Sequence, residues 1–220
     1  MIWNYIDVKT LEQYTSEKEI RHEICNMFEF SVSFEQQIDK LANEVFGGDK
    51  LPKICAHIRR SDFFDGAHPL LPTTEPFTSK ALDYLATTVS RKKGQNKVSF
   101  LLLNDDVNFT NEVADQVKKN KYVKSIFTTK NFKPIDDMGL AIRYCDYFLL
   151  TSSGSTWIAY LIPDEKQSNV FYNSLFFKKN HTRLFKTFTE KHFVPPEWNR
   201  LVLDGNRIFV QDRSIPGIHI

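Results

Sequence analysis

A short basic motif directly follows an apolar segment of this 220-residue chain. Residues 55–64 read CAHIRRSDFF, in which His57, Arg59, Arg60 and Asp62 gather strong hydrogen-bonding groups where a buried strand would end. A guanidinium offers forked N–H donors and keeps its charge at any physiological pH, which suits it to a phosphate or diphosphate. The motif therefore predicts an anion site. The alternative is a solvated basic strand end in which Asp62 is a local salt-bridge partner.

A hydroxyl-rich segment, TSSGST at 151–156, precedes a short helical pattern. Phosphate oxygens could bind here to backbone amides, to the positive end of the helix dipole and to the hydroxyls of Ser152, Ser153, Ser155 and Thr156. Ordinary helix capping by Ser153 or Ser155 is the alternative. The sequence contains no GxxxxGK[ST], and no GxGxxG after a strand, so it predicts neither a P-loop nor a standard dinucleotide site.

Two pairs of aspartates, Asp105-Asp106 and Asp136-Asp137, could attract a divalent cation, because hard cations favour carboxylate oxygens. Both pairs directly precede helical patterns, so capping and dipole complementarity explain them more simply. No histidine or cysteine pair has the spacing of a zinc site. We therefore predict no metal, and we keep Asn104, Asp105 and Asp137 as candidate ligand contacts.

The three cysteines, Cys25, Cys55 and Cys145, are widely spaced and form no CxxC motif, which argues against a zinc site or a disulfide scaffold. The odd count leaves at least one free thiol. Cys55 and Cys145 have apolar neighbours in the sequence, which favours buried, inert thiols over nucleophiles.

The overall composition is that of an ordinary folded protein, with 41% hydrophobic and 25% charged residues. The net charge of +2 gives no bulk attraction to nucleic acid or to an anionic membrane, so an anion site must be local. No segment approaches about 18 apolar residues, and the first residues lack a signal-peptide core, so we expect no anchor and no export signal in the chain as given. Two Asn-X-Thr triplets, at 108–110 and 180–182, matter only if the chain enters the secretory pathway.

Short apolar runs alternate with segments of helical period from about residue 50 onward. The apolar runs predict strands at 53–58, 97–103, 123–127, 147–150 and 169–172. The segments between them predict helices at 78–91, 109–119, 135–145 and 155–161. Strands that are apolar throughout are typical of a parallel sheet covered on both faces. The sequence thus predicts a doubly wound, Rossmann-like α/β domain over 51–220, preceded over 1–50 by helices at 17–28 and 34–46.

In such a sheet, ligands bind beyond the carboxyl ends of the strands. The two arginines, the Asn-Asp-Asp segment and TSSGST each follow a predicted strand, so we expect them to converge at one edge.

In this setting HIRRSD resembles the HxRRxD motif of transferases that use GDP-fucose, and most closely that of the galactoside α-1,2-fucosyltransferase family, glycosyltransferase family 11. Three more segments are similar to that family in the same order: LLLNDD, DMGLAIRYCDYFLLTSSGSTWIAYL and VPPEWNRL. The resemblance covers roughly residues 50 to 202. It implies inverting transfer of L-fucose from GDP-fucose to a galactoside hydroxyl. The alternative is an inactive or truncated paralogue that acts as a nucleotide-sugar-binding module.

The resemblance also implies roles for the motif residues. Arg59 and Arg60 match the arginines expected at the diphosphate, and His57 matches the histidine expected beside the nucleotide. Asp62 is either a general base for the acceptor hydroxyl or a brace for the arginines. We expect the remaining GDP-fucose contacts at Asn104, Asp105, Asp137, Ser152, Ser153, Ser155 and Thr156.

The chain departs from the family pattern in several places. Ser61 stands where glycine is usual, and Trp157 stands alone where an aromatic pair is expected. The family carries an N-terminal membrane anchor, a glycine-rich opening and two facing Rossmann-like domains (the GT-B arrangement), with a Golgi location. The resemblance implies that residues 1–50 correspond only to the tail of the first domain.

Overall fold

The computed structural model describes residues 21–23, 25, 29–64, 68–92, 94, 97–129, 132–152, 156–175, 177–178, 190 and 194–214.

A twisted sheet of seven strands forms the centre of the described chain. The strands are β1 (Lys53–Ile58), β2 (Val98–Asn104), β3 (Val123–Thr128), β4 (Tyr147–Leu150), β5 (Val170–Asn173), β6 (Asn199–Asp204) and β7 (Arg207–Val210). Their order is β3-β2-β1-β4-β5-β6-β7, in which the first six are parallel and β7 is antiparallel to β6. From β1 the chain adds β2 and β3 on one side, and it then returns to add β4, β5 and β6 on the other side. This is the order of a doubly wound sheet, with its switch point between β1 and β4. The predicted Rossmann-like α/β fold is confirmed.

Helices cover both faces of the sheet. They are α1 (Val32–Phe46), α2 (Glu75–Lys92), α3 (Val107–Val117), α4 (Pro134–Tyr144) and the short α5 (Thr156–Tyr160), with 3₁₀ turns at Ser61–Phe64 and Asp164–Asn169. Successive strand residues point to opposite faces, so Cys55 lies in the core beneath α1 and α4, whereas Ile54 and Ala56 lie in the core beneath α2 and α3. The two cores hold the strand ends, and therefore the motif residues, in fixed positions.

Helix α1, which belongs to the predicted lead-in region, packs on α4 and lies outside the sheet. The Ser31 hydroxyl caps its start by accepting a hydrogen bond from the Phe34 amide (3.3 Å), and Gly47 ends it with a φ of +54°. Its buried face consists of Ile38, Ala42 and Phe46. The earlier predicted helix is described only at 21–23 and 25, which are helical, and residues 1–20 lie outside the described range.

The structure contradicts the sequence prediction for Cys55 and Cys145. Cys55 in β1 and Cys145, directly after α4, are joined in a disulfide, with their Cα atoms 5.8 Å apart and both residues buried. The prediction of two inert thiols was wrong because 90 residues separate the cysteines along the chain. They become neighbours only when β1 pairs with β4, where Cys55 is opposite Phe148. Cys25 is free, and its thiol donates a hydrogen bond to the Tyr160 carbonyl (3.3 Å).

Candidate functional site

The motif residues converge where the strands end, at the carboxyl edge of the sheet. Arg59 and Arg60 follow β1, Asn104 ends β2, and Ser152 follows β4. Asp137 lies in the first turn of α4, which follows β3. Of the other predicted contacts, Ser153 and Ser155 lie outside the described residues, and Thr156 is described only as the first residue of α5.

Arg59 is the accessible arginine of the motif. Its side chain is 43% exposed and forms a forked contact with Asp62, with Nε–Oδ1 at 3.3 Å and Nη2–Oδ2 at 2.6 Å. These hydrogen bonds hold the pKa of the Asp62 carboxyl below its usual range, which makes it a weaker base. The geometry therefore fits Asp62 as a brace for Arg59 better than as a general base.

Arg60 is packed into the protein. Its guanidinium lies 3.7 Å from the centre of the Phe109 ring and 4.9 Å from that of Phe64. Nη1 donates to the Thr73 carbonyl (2.5 Å), and Nε donates to Asp106 (3.3 Å). With 16% of its side chain exposed, Arg60 joins the ends of β1 and β2 and has little surface left for a ligand.

The two aspartates after β2 have different partners. Asp106 caps α3 by accepting from the Phe109 amide (3.0 Å), as the capping interpretation predicts. Asp105 instead fixes the turn after β1. Its carboxylate accepts hydrogen bonds from the amides of Arg60 (2.8 Å) and Ser61 (3.2 Å) and from the Ser61 hydroxyl (2.7 Å). The serine in the usual glycine position thus adds a hydrogen bond that stabilises the motif loop.

His57 lies in β1, and its backbone carbonyl accepts hydrogen bonds from the Thr151 amide (3.4 Å) and hydroxyl (2.9 Å). Burial of the imidazole lowers its pKa to about 4, and the positive charge of Arg59 adds to this, while the negative charge of Asp105 opposes it. The ring is therefore neutral at physiological pH. A neutral imidazole offers one donor and one acceptor.

Four buried polar atoms at this edge have no hydrogen-bond partner among the described residues. They are Asn104 Oδ1, Thr129 Oγ1, Asp137 Oδ1 and Ser152 Oγ. They lie at or after the carboxyl ends of β2, β3 and β4, of which β3 and β2 are neighbours in the sheet and β4 lies on the other side of β1. Most buried polar groups in folded proteins are paired, so four unpaired ones at the carboxyl edge of the sheet make this edge a candidate site for a polar ligand.

Asp137 contributes the one carboxyl among these four groups. Burial raises its pKa to about 6, and the neighbouring Asp136 adds to the rise. The nearby Thr129 hydroxyl partly offsets it, although the two side chains form no hydrogen bond of normal geometry. Thr129 was missed by the sequence reasoning. The signal was available, because a Thr-Thr pair follows an apolar run just as TSSGST does.

No group of three or more histidine, cysteine, aspartate or glutamate side chains within the described residues is arranged to hold a metal ion. In the same part of the chain, no helix is long and apolar enough to cross a membrane.

Comparison with known proteins gives distant relatives. No family model matches the chain. It is 28% identical over 165 residues to "Putative glycosyltransferase C06E1.7" of Caenorhabditis elegans, covering 71% of this chain and 44% of that protein. It is also 28% identical over 167 residues to "Putative galactoside 2-alpha-L-fucosyltransferase svh-11" of the same organism, covering 73% and 43%. The chain thus spans less than half the length of these relatives. The similarities support a glycosyltransferase or fucosyltransferase family.

Proposed function

We propose that this chain provides the GDP-fucose-binding part of an inverting glycosyltransferase that transfers L-fucose to a galactoside hydroxyl. The observation that carries the proposal is the exposed, braced guanidinium of Arg59 at the same sheet edge as four buried, unpaired polar atoms. This edge lies where ligands bind in doubly wound sheets. The distant relatives support the glycosyltransferase class, and the motif resemblance supports the donor and a Golgi location.

Arg59 has the chemistry that the diphosphate requires. A guanidinium has five N–H donors, and Asp62 engages only Nε and Nη2, so donors remain for phosphate oxygens. An exposed ion pair of this kind contributes about 0–1 kcal/mol, so the guanidinium can adjust toward a phosphate at little cost. Charge-assisted hydrogen bonds to phosphate contribute about 1.5–3 kcal/mol, which makes the exchange favourable.

Asp137 fits the base of the nucleotide. Guanine presents N–H donors along one edge, and an ionised carboxylate accepts from them. A buried oxygen that lacks a partner in the described protein is an acceptor of that kind. Asn104, Thr129 and Ser152 supply further polar atoms at the same edge.

In the proposed reaction the acceptor hydroxyl oxygen attacks the anomeric carbon of fucose. A new carbon–oxygen bond forms there, the bond from that carbon to the β-phosphate oxygen breaks so that GDP leaves with the electron pair, and the hydroxyl proton passes to water. Arg59 stabilises the negative charge that develops on the phosphate, because its guanidinium keeps N–H donors that Asp62 does not use. Asp62 holds Arg59 in position, and the proposal assigns it no role as a base.

A nucleotide-sugar-binding module without turnover is the second candidate. Asp62, Asp105 and Asp106 all accept hydrogen bonds from protein donors. The described motif loop therefore has no free carboxylate to accept the hydroxyl proton, which favours this candidate.

Calorimetric titration with GDP, UDP and ADP, followed by a GDP-release assay with GDP-fucose and a β-galactoside, tests these proposals. We expect GDP to bind more tightly than UDP or ADP, and GDP release to depend on the galactoside. Tight GDP binding without release would select the binding module. Equal affinity for the three nucleotides, or no binding, would remove the GDP-fucose proposal.

A further inference from the structure

We propose that Asn108 carries an N-linked glycan on the solvent face of α3, beside the candidate site. This inference does not depend on the proposed reaction. It rests on the surroundings of the triplet Asn108-Phe109-Thr110 and on the disulfide in the core.

The triplet lies in the first turn of α3, and only its asparagine is exposed. Phe109 and Thr110 are buried, with 6% and 1% of their surface accessible. The exposed residues of the helix recur with its period of 3.6 residues, so Asn108 lies on the same face as Asn111, Glu112 and Asp115. A glycan on this asparagine extends into solvent without displacing any core side chain.

The folded helix also sets the time at which the glycan is added. The Thr110 hydroxyl is buried and donates a hydrogen bond to the Asp106 carbonyl (2.8 Å). The enzyme that adds the glycan therefore cannot bind this hydroxyl after α3 has formed. The modification therefore precedes folding. The Asn108 amide nitrogen attacks the anomeric carbon of a lipid-linked oligosaccharide diphosphate. A carbon–nitrogen bond forms, the lipid diphosphate leaves with the electron pair, and the amide loses a proton to a base.

The disulfide gives an independent reason to expect the required compartment. Cys55 and Cys145 are joined at 2% and 0% exposure, inside the core that holds β1 against β4. Such bonds form and persist in oxidising compartments such as the endoplasmic reticulum, where a disulfide-type oxidant accepts the two electrons and two protons released by the thiols. N-linked glycans are added to chains that enter the same compartment. Two unrelated features of the chain thus point to one location.

The test uses the protein isolated from its own cells, without overexpression. The protein is treated with peptide N-glycosidase in ¹⁸O-water, digested and analysed by mass spectrometry. We expect residue 108 to be recovered as ¹⁸O-labelled aspartate. Recovery of the unlabelled asparagine as the main form would overturn the proposal. The triplet at 180–182 is on a separate peptide and is read independently.

Variants expressed in the same cells distinguish loss of the glycan from a change in the structure of α3. Asn108→Gln removes the acceptor amide and is expected to abolish the glycosidase-sensitive gel shift from this position. Asn111→Gln changes an exposed asparagine on the same face that belongs to no triplet, and is expected to keep the shift. Thr110→Ser preserves the hydroxyl and is also expected to keep it. A shift that survives in Asn108→Gln, at the mobility of the unchanged chain, would contradict the assignment.

Discussion

The two arginines of the motif are adjacent in sequence but have different environments. Arg59 extends into solvent against a single carboxylate, whereas Arg60 is enclosed by two aromatic rings and bonded to the chain after β2. Both arginines follow the end of β1 at Ile58, so the difference between them comes from their contacts and not from strand alternation. The structure therefore separates a candidate ligand-binding arginine from one that supports the loop.

Substitution by lysine distinguishes the two arginines. Arg59→Lys keeps the charge but loses the fork, and we expect GDP to bind about ten- to a hundredfold more weakly, or about 1.5–3 kcal/mol, with the fold intact. Arg60→Lys loses the stacking and the bond to Thr73, so we expect the free energy of unfolding to fall by about 1–3 kcal/mol. Calorimetry and chemical unfolding measure the two effects. Unchanged GDP affinity in a folded Arg59→Lys variant would show that the motif does not bind the diphosphate.

The raised pKa of Asp137 predicts that GDP-fucose binding depends on pH. Its pKa of about 6 means that the carboxyl is mostly protonated at pH 5 and mostly ionised at pH 7. If the ionised form accepts the guanine N–H groups, the affinity for GDP-fucose rises by about tenfold between these values and then levels off. GDP-fucose suits the measurement because its phosphates are both esterified and do not titrate in this range. His57 does not contribute, because its pKa of about 4 lies below the range.

Asp137→Asn is the matched variant for this measurement. It is expected to bind GDP-fucose weakly and with an affinity that does not change between pH 5 and 7. If the variant keeps the pH dependence of the original chain, another group is responsible and Asp137 does not contact the base.

At the scale of the elements, the packing of α1 on α4 depends on one glycine. A methyl group at Gly139 would lie 2.7 Å from two side-chain carbons of Ile38, which is fully buried and cannot move into solvent. We expect Gly139→Ala to lower the free energy of unfolding by about 1–3 kcal/mol. Ile38→Val removes one of the contacting carbons, so the double variant should lose less stability than the sum of the single changes. Additive losses in thermal or chemical unfolding would show that this contact is not the cause.

The disulfide joins β1 to the residue after α4 and closes a long loop. Its cysteines are 90 residues apart, and constraining a loop of that length stabilises a fold by about 2–4 kcal/mol. We therefore expect the variant with both Cys55→Ser and Cys145→Ser to have a free energy of unfolding lower by about 2–4 kcal/mol, measured by denaturant titration. Cys25→Ser, which changes the free cysteine, is the control. Equal stability of the double variant and the control would show that the bond does not constrain the chain.

The elements that the sequence predicted correctly are those with a strong local pattern. The strands from β1 to β5 are apolar runs, and each predicted helix from 78–91 onward matches an observed one to within a few residues. The hairpin of β6 and β7 was missed because charged residues interrupt its apolar pattern, with Arg200 buried in β6 and Asp204 and Arg207 on either side of the turn. Its local signal was the Gly205-Asn206 turn, with a φ of +52° at the glycine.

The candidate site was predictable only in outline. Ligands bind beyond the carboxyl ends of the strands in a doubly wound sheet, and strand ends can be predicted from the sequence pattern. This was enough to predict that the motif arginines, Asn104 and Ser152 lie at one edge. The division of roles between Arg59 and Arg60 was not predictable, since it depends on Phe109 and Thr73, which pack there through tertiary contacts. The same holds for the disulfide, which depends on the pairing of β1 with β4.

At the scale of the whole molecule, charge is balanced and the candidate anion site is local. With a net charge of +2, the protein has no general field that would hold a dianion, so binding must come from groups at the carboxyl edge of the sheet. Those groups include the Arg59 guanidinium, the neutral His57 ring and the polar atoms after β2, β3 and β4. Under the proposed function, selectivity among nucleotides would come from these groups at the sheet edge.

This local arrangement predicts that GDP binds without a divalent metal. Arg59 supplies positive charge to the diphosphate, and the described aspartates nearest to it, Asp62 and Asp105, are bonded to protein donors and form no cluster suited to a cation. We expect GDP affinity in excess EDTA to equal that in Mg²⁺ or Mn²⁺ within about twofold, which is about 0.4 kcal/mol. Calorimetric titration in the three buffers, at one ionic strength, makes the comparison. A loss of tenfold or more in EDTA would show that Asp105 or Asp106 turns from its protein partner to a metal ion in the complex.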